Sequence, residues 1–212
     1  MADTGPKPCL MCGKSSAALC AQCKSACYCS KECQRADWPI HKTMCKTFAN
    51  FDMSTRPSIN HYLCVQFPEQ EQSKLVWVHC PLEPPDSEDG YEDTSLYEQL
   101  LEHYDYLGGP QHLGQMVHFE TNPVLKRPME NVVGIMCREK FTFDGSLPNH
   151  NIKALKTKNT HQAGSTSWAG PVLGFATTWS TAFEGPARYK DVDMKDFRHI
   201  ADSLITYPND RI

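Results

Sequence analysis

Alternating apolar and polar positions after residue 60 predict a series of short strands. β-Branched and aromatic residues fill residues 62–67 and 75–80, and the polar segment 68–73 between them fits a hairpin loop. Similar runs predict four further strands, at residues 115–120, 131–137, 140–143 and 172–177. The polar segment 157–170 is predicted to be a long loop.

Two stretches repeat their apolar residues at the spacing of a helix. The first begins at the capping-box pair Ser95 and Glu98 and ends at Gly108. Its apolar residues are Tyr97, Leu100, Leu101 and Tyr104. The second spans residues 194–204 behind the N-cap candidate Asp193. Because these helices do not alternate regularly with the strands, this part of the chain is predicted to form an α+β domain.

The first 60 residues are rich in cysteine and lack the apolar periodicity of the rest of the chain. Ser54, Pro57 and Ser58 interrupt any regular period, which predicts a connecting segment. The prediction divides the chain into a tail (residues 1–8), a cysteine-rich segment (9–45), a linker (46–59), the α+β domain (60–207) and a second tail (208–212). The α+β domain is long enough to bury a core of its own.

The composition is that of a soluble globular protein. The 212 residues are 40% hydrophobic and carry a formal net charge of -4, and no apolar run approaches the roughly 18 residues of a membrane span. The chain begins without the apolar segment of a secretory signal, so we expect an intracellular protein, in either nucleus or cytoplasm. Lys and Arg are too few near the cysteines for a nucleic-acid partner, and no membrane partner is expected.

Cysteine usage adds a specific chemistry, because eight of the 11 cysteines lie between Cys9 and Cys45. In a reducing compartment such a cluster indicates metal ligands, with a disulfide scaffold as the alternative. The ligand pairs have C-x2-C, C-x3-C or H-x3-C spacing and are Cys9/Cys12, Cys20/Cys23, Cys29/Cys33 and His41/Cys45. Eight ligands suffice for two closed zinc sites, with no position left for a substrate. Spacing alone leaves open whether neighbouring or interleaved pairs share an ion.

The residues around the last ligands carry a family resemblance. The run Tyr28-Cys29-Ser30-Lys31-Glu32-Cys33-Gln34, followed by Asp37-Trp38, His41 and Cys45, resembles a MYND zinc finger, and the resemblance covers residues 9–45. It implies two interleaved zinc sites, the first of Cys9, Cys12, Cys29 and Cys33 and the second of Cys20, Cys23, His41 and Cys45. The extra Cys27 is predicted not to be a ligand, because its spacing to Cys33 exceeds one helical turn.

The same resemblance implies a role in protein–protein interaction. Several MYND fingers bind proline-rich peptides in a shallow groove, to which the residues matching Gln34 and Trp38 contribute. An indole ring packs on proline rings and an amide can hydrogen-bond an extended backbone, so we predict that these two residues bind the partner. Trp38 could also cover the second zinc site. Ala21 departs from the pattern, since some peptide-binding members have a small polar residue there.

The α+β domain lacks recognisable catalytic motifs, including nucleophile elbows, phosphate loops and dinucleotide fingerprints. MYND fingers also occur in SET-domain lysine methyltransferases, but Asn149-His150-Asn151 lacks the Ser-Cys that follows Asn-His in those enzymes. We therefore predict a non-enzymatic zinc protein, with an enzyme of unknown class, acting through the α+β domain, as the alternative. Residues 191–199 resemble a segment of uncharacterised fungal MYND proteins, which implies no activity.

So short a cysteine-rich segment cannot bury much apolar surface, and metal binding would supply its folding free energy, about 10 kcal/mol per site in finger peptides. We therefore expect a strong chelator to unfold residues 9–45 first and to leave the α+β domain folded.

Overall fold

The computed structural model describes residues 7–15, 17–83, 98–158, 164–179 and 187–208. Its strands are β1 (Ala18–Leu19), β2 (Cys27–Tyr28), β3 (His61–Phe67), β4 (Lys74–His79), β5 (Leu82–Glu83), β6 (Glu98–Gln99), β7 (Gly114–Asn122), β8 (Arg127–Arg138), β9 (Val172–Thr177) and β10 (Tyr189–Lys190). Its helices are α1 (Lys31–His41), α2 (Cys45–Asn50), α3 (Tyr104–Leu107), α4 (His150–Lys158) and α5 (Met194–Thr206), with a 3-10 turn at Met53–Thr55. A mixed α/β domain follows the cysteine-rich segment, which confirms the predicted fold class.

A six-stranded antiparallel sheet organises the second part of the chain. The strand order is β4-β3-β9-β8-β7, and β10 pairs with β9. β3 and β4 form the predicted hairpin, and β9 has the predicted bounds, Val172–Thr177. Every residue of β9 is buried, as expected for a central strand that is covered on both faces.

Apolar side chains cover the two faces of this sheet. Leu63 and Phe67 of β3 point to the face that α5 covers, where Phe197 stacks on Phe67 with ring centroids 6.4 Å apart. Cys64 points to the opposite face and belongs to a second cluster with Leu107. Successive side chains of a strand alternate between faces, so β3 contributes to both layers.

The C-terminal helix α5 confirms the helix predicted at residues 194–204. Asp193 is its N-cap, and Asp196 completes a capping box, because each side chain accepts from the other residue's backbone N–H. α5 is the longest helix that the structure describes, and none of the described helices is both long and apolar enough to cross a membrane. Its residues from Asp196 to Ile205 are all buried, so α5 is covered on its polar side as well as its apolar side.

The cysteine-rich segment shares its core with the sheet. Leu10 and Met44 of this segment belong to the same buried cluster as Phe67 and Phe197. The predicted linker 46–59 contains most of α2 and the 3-10 turn, and its Phe48 ring lies 6.5 Å from that of Phe197. The domain boundary at residues 46–59 stays a prediction. The cysteine-rich segment and the α+β domain on either side of it share one buried core.

The helix predicted between Ser95 and Gly108 is wrong. Glu98–Gln99 forms strand β6, and only Tyr104–Leu107 is helical, ending at Gly108 in the left-handed conformation (φ 95°). Leu101 and Leu107 are buried by contacts with the sheet rather than on a continuous helical face, whereas Leu100 and Tyr104 are exposed. The first part of the prediction, residues 95–97, lies outside the described residues.

The strand predicted at residues 140–143 is also wrong, because a turn follows β8 there and the Phe143 side chain is 90% exposed. Helix α4 replaces the start of the loop predicted at residues 157–170, since it extends to Lys158. Residues 164–170 are irregular apart from one bridge, and residues 159–163 lie outside the described part of the chain.

Candidate metal centre

The two C-x2-C pairs adopt the same turn. The N–H of Gly13 donates to Cys9 O at 2.8 Å, and the N–H of Lys24 donates to Cys20 O at 2.9 Å. Gly13 and Lys24 each follow the second cysteine of their pair and have positive φ angles of 73° and 52°. Such a turn directs both thiols of a pair to one point while backbone N–H groups face the sulfurs.

Helix ends position the other two pairs. Ser30 caps α1 by accepting from the N–H of Cys33, so that α1 begins between Cys29 and Cys33. His41 is the last residue of α1 and Cys45 the first of α2. The predicted spacing therefore holds, but the members of each pair flank a helix end rather than lie within one helix.

The first tetrad consists of Cys9, Cys12, Cys29 and Cys33, whose sulfur atoms all lie within 4.8 Å of one another. The Sγ atoms of Cys12 and Cys29 are 3.4 Å apart, those of Cys29 and Cys33 3.7 Å, and those of Cys33 and Cys12 3.9 Å. Four sulfurs about 2.3 Å from a zinc ion would form a tetrahedron with edges of about 3.8 Å. The tetrad therefore has the size of a zinc site.

The second tetrad consists of Cys20, Cys23, His41 and Cys45, and all four residues are buried. The Nε2 atom of His41 lies 3.5 Å from Cys20 Sγ and 3.8 Å from Cys23 Sγ, and the sulfurs of Cys20 and Cys45 are 4.0 Å apart. The structure brings the predicted residues together in the interleaved pairing. All eleven cysteines are free thiols, so the geometry gives no support to the disulfide alternative.

Ionisation of the thiols shows why a cation suits these tetrads. Burial opposes ionisation of Cys9, but nearby backbone N–H groups outweigh it and lower the pKa of its thiol to about 6. The contact with Cys12 sulfur raises the pKa of Cys29 to about 12, and burial beside two other thiols raises that of Cys45 to about 12. One thiolate therefore opposes the ionisation of its neighbours, and a bound divalent cation removes that opposition. The two tetrads are compatible with two zinc ions.

The second tetrad is backed by a buried polar chain. The Nδ1 atom of His41 lies 2.8 Å from Tyr28 Oη, and that hydroxyl donates to Asp37 Oδ2 at 2.5 Å. Arg198 of α5 donates from Nη1 to Asp37 Oδ1 and from Nε to Asp202 Oδ2. Burial lowers the pKa of His41, against the opposing charge of Asp37.

A second arginine of the α+β domain contacts the first tetrad. Arg127, at the start of β8, donates from Nη1 to Cys9 O at 3.4 Å and from Nη2 to Leu10 O. The α+β domain thus supplies one arginine behind each tetrad. Neither arginine is suggested by the sequence pattern, which carries no signal for contacts between residues so far apart.

Gln34 and Trp38, the predicted partner-binding residues, lie four apart on α1 and share one side of that helix. The Trp38 ring stacks on His41 with centroids 5.7 Å apart, yet 47% of the residue is exposed. Trp38 therefore covers the second tetrad with one face and leaves the rest of its surface accessible. Gln34 is half-buried, and Ala21 is exposed.

The remaining cysteines lie away from the tetrads or outside their geometry. Cys27 is buried on β2 and belongs to neither tetrad. Burial raises the pKa of Cys64 well above its ordinary value, and raises that of Cys80 and of Cys137 to about 12, as expected for inert core thiols. Asn149 has a structural role, because its Oδ1 caps α4 and its Nδ2 donates to Phe67 O.

Comparison with known proteins identifies the cysteine-rich segment. Residues 9–45 match the family model of the MYND finger. The chain is 44% identical over 45 residues to the N-lysine methyltransferase SMYD2 of Bos taurus, a match that covers 21% of this chain and 10% of that protein. It is 47% identical over 47 residues to ubiquitin carboxyl-terminal hydrolase 19 of Arabidopsis thaliana, which covers 22% and 7%.

A further match, to SMYD2 of Rattus norvegicus, is 40% identical over 50 residues and covers 24% of this chain. The chain therefore spans only about a tenth of the length of the curated relatives it matches, and these matches are confined to the finger. No solved structure matches the chain. Residues 9–45 are a MYND finger, and a mixed α/β domain follows it.

Proposed function

We propose that the finger binds two zinc ions through its two tetrads and presents Trp38 and Gln34 to an extended, proline-rich segment of another protein. The α+β domain acts as a rigid support for the finger, and the protein is not an enzyme. MYND fingers mediate protein–protein interaction. The geometry of the tetrads supports the metal assignment, since their edges have the length expected for zinc.

The observation that carries the proposal is the position of Trp38. A tryptophan that only covered a metal site would be buried, whereas Trp38 is 47% exposed while its ring rests on His41. That stacking holds the indole in place, so little side-chain entropy would be lost when a partner binds. A fixed, exposed aromatic face is the usual platform for a polyproline II segment.

The surroundings of Trp38 define the partner's chemistry. Gln34 provides an amide that can bond to an extended backbone, and the two residues are one helical turn apart. Ala21, where some peptide-binding members have a small polar residue, supplies no side-chain hydrogen bond. We infer that the partner presents proline rings.

The junction between finger and domain supports the non-catalytic part of the proposal. A cleft of 430 Å³ lies there, lined among others by Lys7, Cys27 and Asn131. Several of its polar groups are engaged in structural contacts: Lys195 pairs with Glu130, and Asn131 donates to Asp196. These contacts fix the junction rather than converge on a substrate position.

Calorimetry with a decaproline peptide tests the proposal, with a glycine–serine peptide of equal length as the ligand control. Trp38→Ala is expected to weaken decaproline binding at least tenfold, or about 1.4 kcal/mol, while the protein retains two zinc ions. Gln34→Ala should have a smaller effect, and Leu113→Ala, a change at a residue that is 64% exposed in the α+β domain, should have none. Wild-type affinity in Trp38→Ala, or equal binding of both peptides by the wild type, would contradict the proposed partner.

A further inference from the structure

In the series of hydrogen bonds behind the second tetrad, the donor and the acceptor of each bond can be assigned. Tyr28 Oη donates to Asp37 Oδ2 at 2.5 Å. A carboxylate has no proton to give, and Arg198 already donates to the other oxygen of Asp37, so the single hydroxyl proton of Tyr28 is committed to Asp37.

This commitment determines the state of His41. Because the Tyr28 hydroxyl has no second proton, its 2.8 Å contact with His41 Nδ1 is a hydrogen bond only if Nδ1 carries the proton and donates it. In the neutral ring that a metal ligand must have, His41 Nε2 is then unprotonated, and its lone pair faces the sulfurs of Cys20 and Cys23. Metal coordination through Nε2 requires this tautomer.

The other members of this series of hydrogen bonds surround Asp37 in a buried position. The side chains of Arg198 and Asp37 are only 5% and 2% exposed, and the same guanidinium donates to Asp202 at 2.8 Å. Asn122 of β7 donates to Asp202 as well, at 2.9 Å. The series of hydrogen bonds therefore extends from the finger, through α5, to the edge strand β7 of the sheet.

We propose that Tyr28 and Asp37, held in place by Arg198, are positioning residues for the second metal site: they fix His41 as the Nδ1-protonated tautomer, with Nε2 directed into the tetrad. This inference rests on the proposed zinc assignment of that tetrad. Helix α5 of the α+β domain is then part of the machinery of the finger's metal site. The all-cysteine tetrad has no histidine and lacks this requirement.

The two tetrads make an internal comparison possible. Loss of a group that orients a metal-bound histidine costs 10–100-fold in metal affinity. A positioning role predicts that this loss falls on the second tetrad alone. General destabilisation of the fold would weaken both tetrads together, because each takes one ligand from α1 and both lie against the same core.

The test is zinc release from the full-length, zinc-loaded protein against a competing chelator, with bound ions counted by native mass spectrometry. Tyr28→Phe removes only the hydroxyl. Tyr106→Phe is its control, because the Tyr106 hydroxyl makes a comparable bond, to Trp77 O at 2.6 Å, away from the finger. Nitrogen-15 NMR of the His41 ring identifies the tetrad that loses its ion and reports which ring nitrogen is protonated.

Tyr28→Phe is expected to release one ion at a 10–100-fold lower chelator concentration, with His41 signals changing in that step, while Tyr106→Phe matches the wild type. Asp37→Asn provides a second variant with the same expected selectivity. The inference is overturned if Tyr28→Phe holds both ions as the wild type does, if both ions weaken equally, or if zinc-bound His41 is protonated at Nε2. A wild type that holds fewer than two ions would defeat the proposed function itself, and with it this inference.

Discussion

Arg198 donates a hydrogen bond from Nη1 to the carboxylate of Asp37, although the two residues lie 161 positions apart in the chain. Arg198 belongs to α5 and Asp37 to α1 of the finger. Both side chains are almost completely buried. A pair in this environment adds little net stability, but either partner left alone is costly, because it becomes an uncompensated buried charge.

Substitution of Arg198 should therefore destabilise the protein more than substitution of Asp37. Arg198→Met leaves both Asp37 and Asp202 without their cation and is expected to lower the free energy of unfolding by about 3–5 kcal/mol. Asp37→Asn leaves Arg198 paired with Asp202, so its cost should be smaller. The double variant Asp37→Asn/Arg198→Met should be more stable than Arg198→Met alone. Urea unfolding of the zinc-loaded proteins measures the free energy of unfolding of each variant. A double variant less stable than Arg198→Met would contradict the prediction.

Metal removal should weaken the α+β domain as well as the finger. The sequence alone suggests that chelation leaves this domain folded, but Leu10 and Met44 of the finger share a buried cluster with Phe197 of α5. Unfolding the finger would expose one side of that cluster and leave Arg198 without Asp37. Hydrogen exchange of α5 amides should therefore accelerate after chelation, whereas α3, whose Leu107 belongs to the separate cluster on the other face of the sheet, should change less. If the protection of α5 amides were unchanged in demetallated protein, the α+β domain would be stable without the folded finger and this prediction would be wrong.

Cys27 and Cys23 make a matched pair for the metal assignment. Both are buried thiols of the finger, but only Cys23 belongs to a tetrad. Cys27→Ser should retain two zinc ions, whereas Cys23→Ser should retain one tightly bound ion, in the first tetrad. Metal analysis by mass spectrometry after extensive dialysis distinguishes them. Loss of an ion from Cys27→Ser would show that the extra cysteine is a ligand.

Stability should fall in acid partly through His199. Burial, reinforced by the positive charges of Arg127 and Lys195, lowers the pKa of this histidine to about 4, against an ordinary value of 6.5. The unfolded chain therefore binds a proton between pH 6.5 and 4 that the folded chain does not, and the contribution of neutral His199 is lost as the pH falls through that window. Its full size is about 3 kcal/mol, from 1.36 kcal/mol per pKa unit.

The variant His199→Gln should flatten this pH dependence. Stability of the wild type and the variant is compared by urea unfolding at several pH values from 6.5 downwards, with exposed His150→Gln as control. Proton competition at the metal ligands affects all three proteins alike, so the difference between them isolates His199. Parallel pH profiles of the wild type and His199→Gln would contradict the assignment.

The candidate metal centre could be predicted because its information is local. Each ligand pair is separated by two or three residues, and a turn or a helix end is enough to bring two such side chains together. The interleaving of the pairs is not local, and spacing alone did not determine it. It came from the family resemblance, and the structure has the same grouping.

The polar face of α5 illustrates what the sequence could not predict. Arg198, His199 and Asp202 have the composition of a solvated face, yet all three are buried, because the finger and β7 cover that side of the helix. The apolar residues after Ser95 mislead in the opposite way. Their helical spacing is real, but Leu101 is buried by the sheet from an irregular segment. In both cases distant parts of the chain override the local pattern.

The separation of Arg198 and Asp37 along the chain also means that the two residues are synthesised at different times. Asp37 leaves the ribosome 161 residues before its cation does, and Tyr28 and His41 emerge with it. In a nascent protein, the cysteine ligands of the finger are therefore synthesised long before Arg198, whose guanidinium helps to hold the His41 ring in place. The histidine-containing tetrad therefore reaches full affinity only after α5 has been released and has folded against the finger.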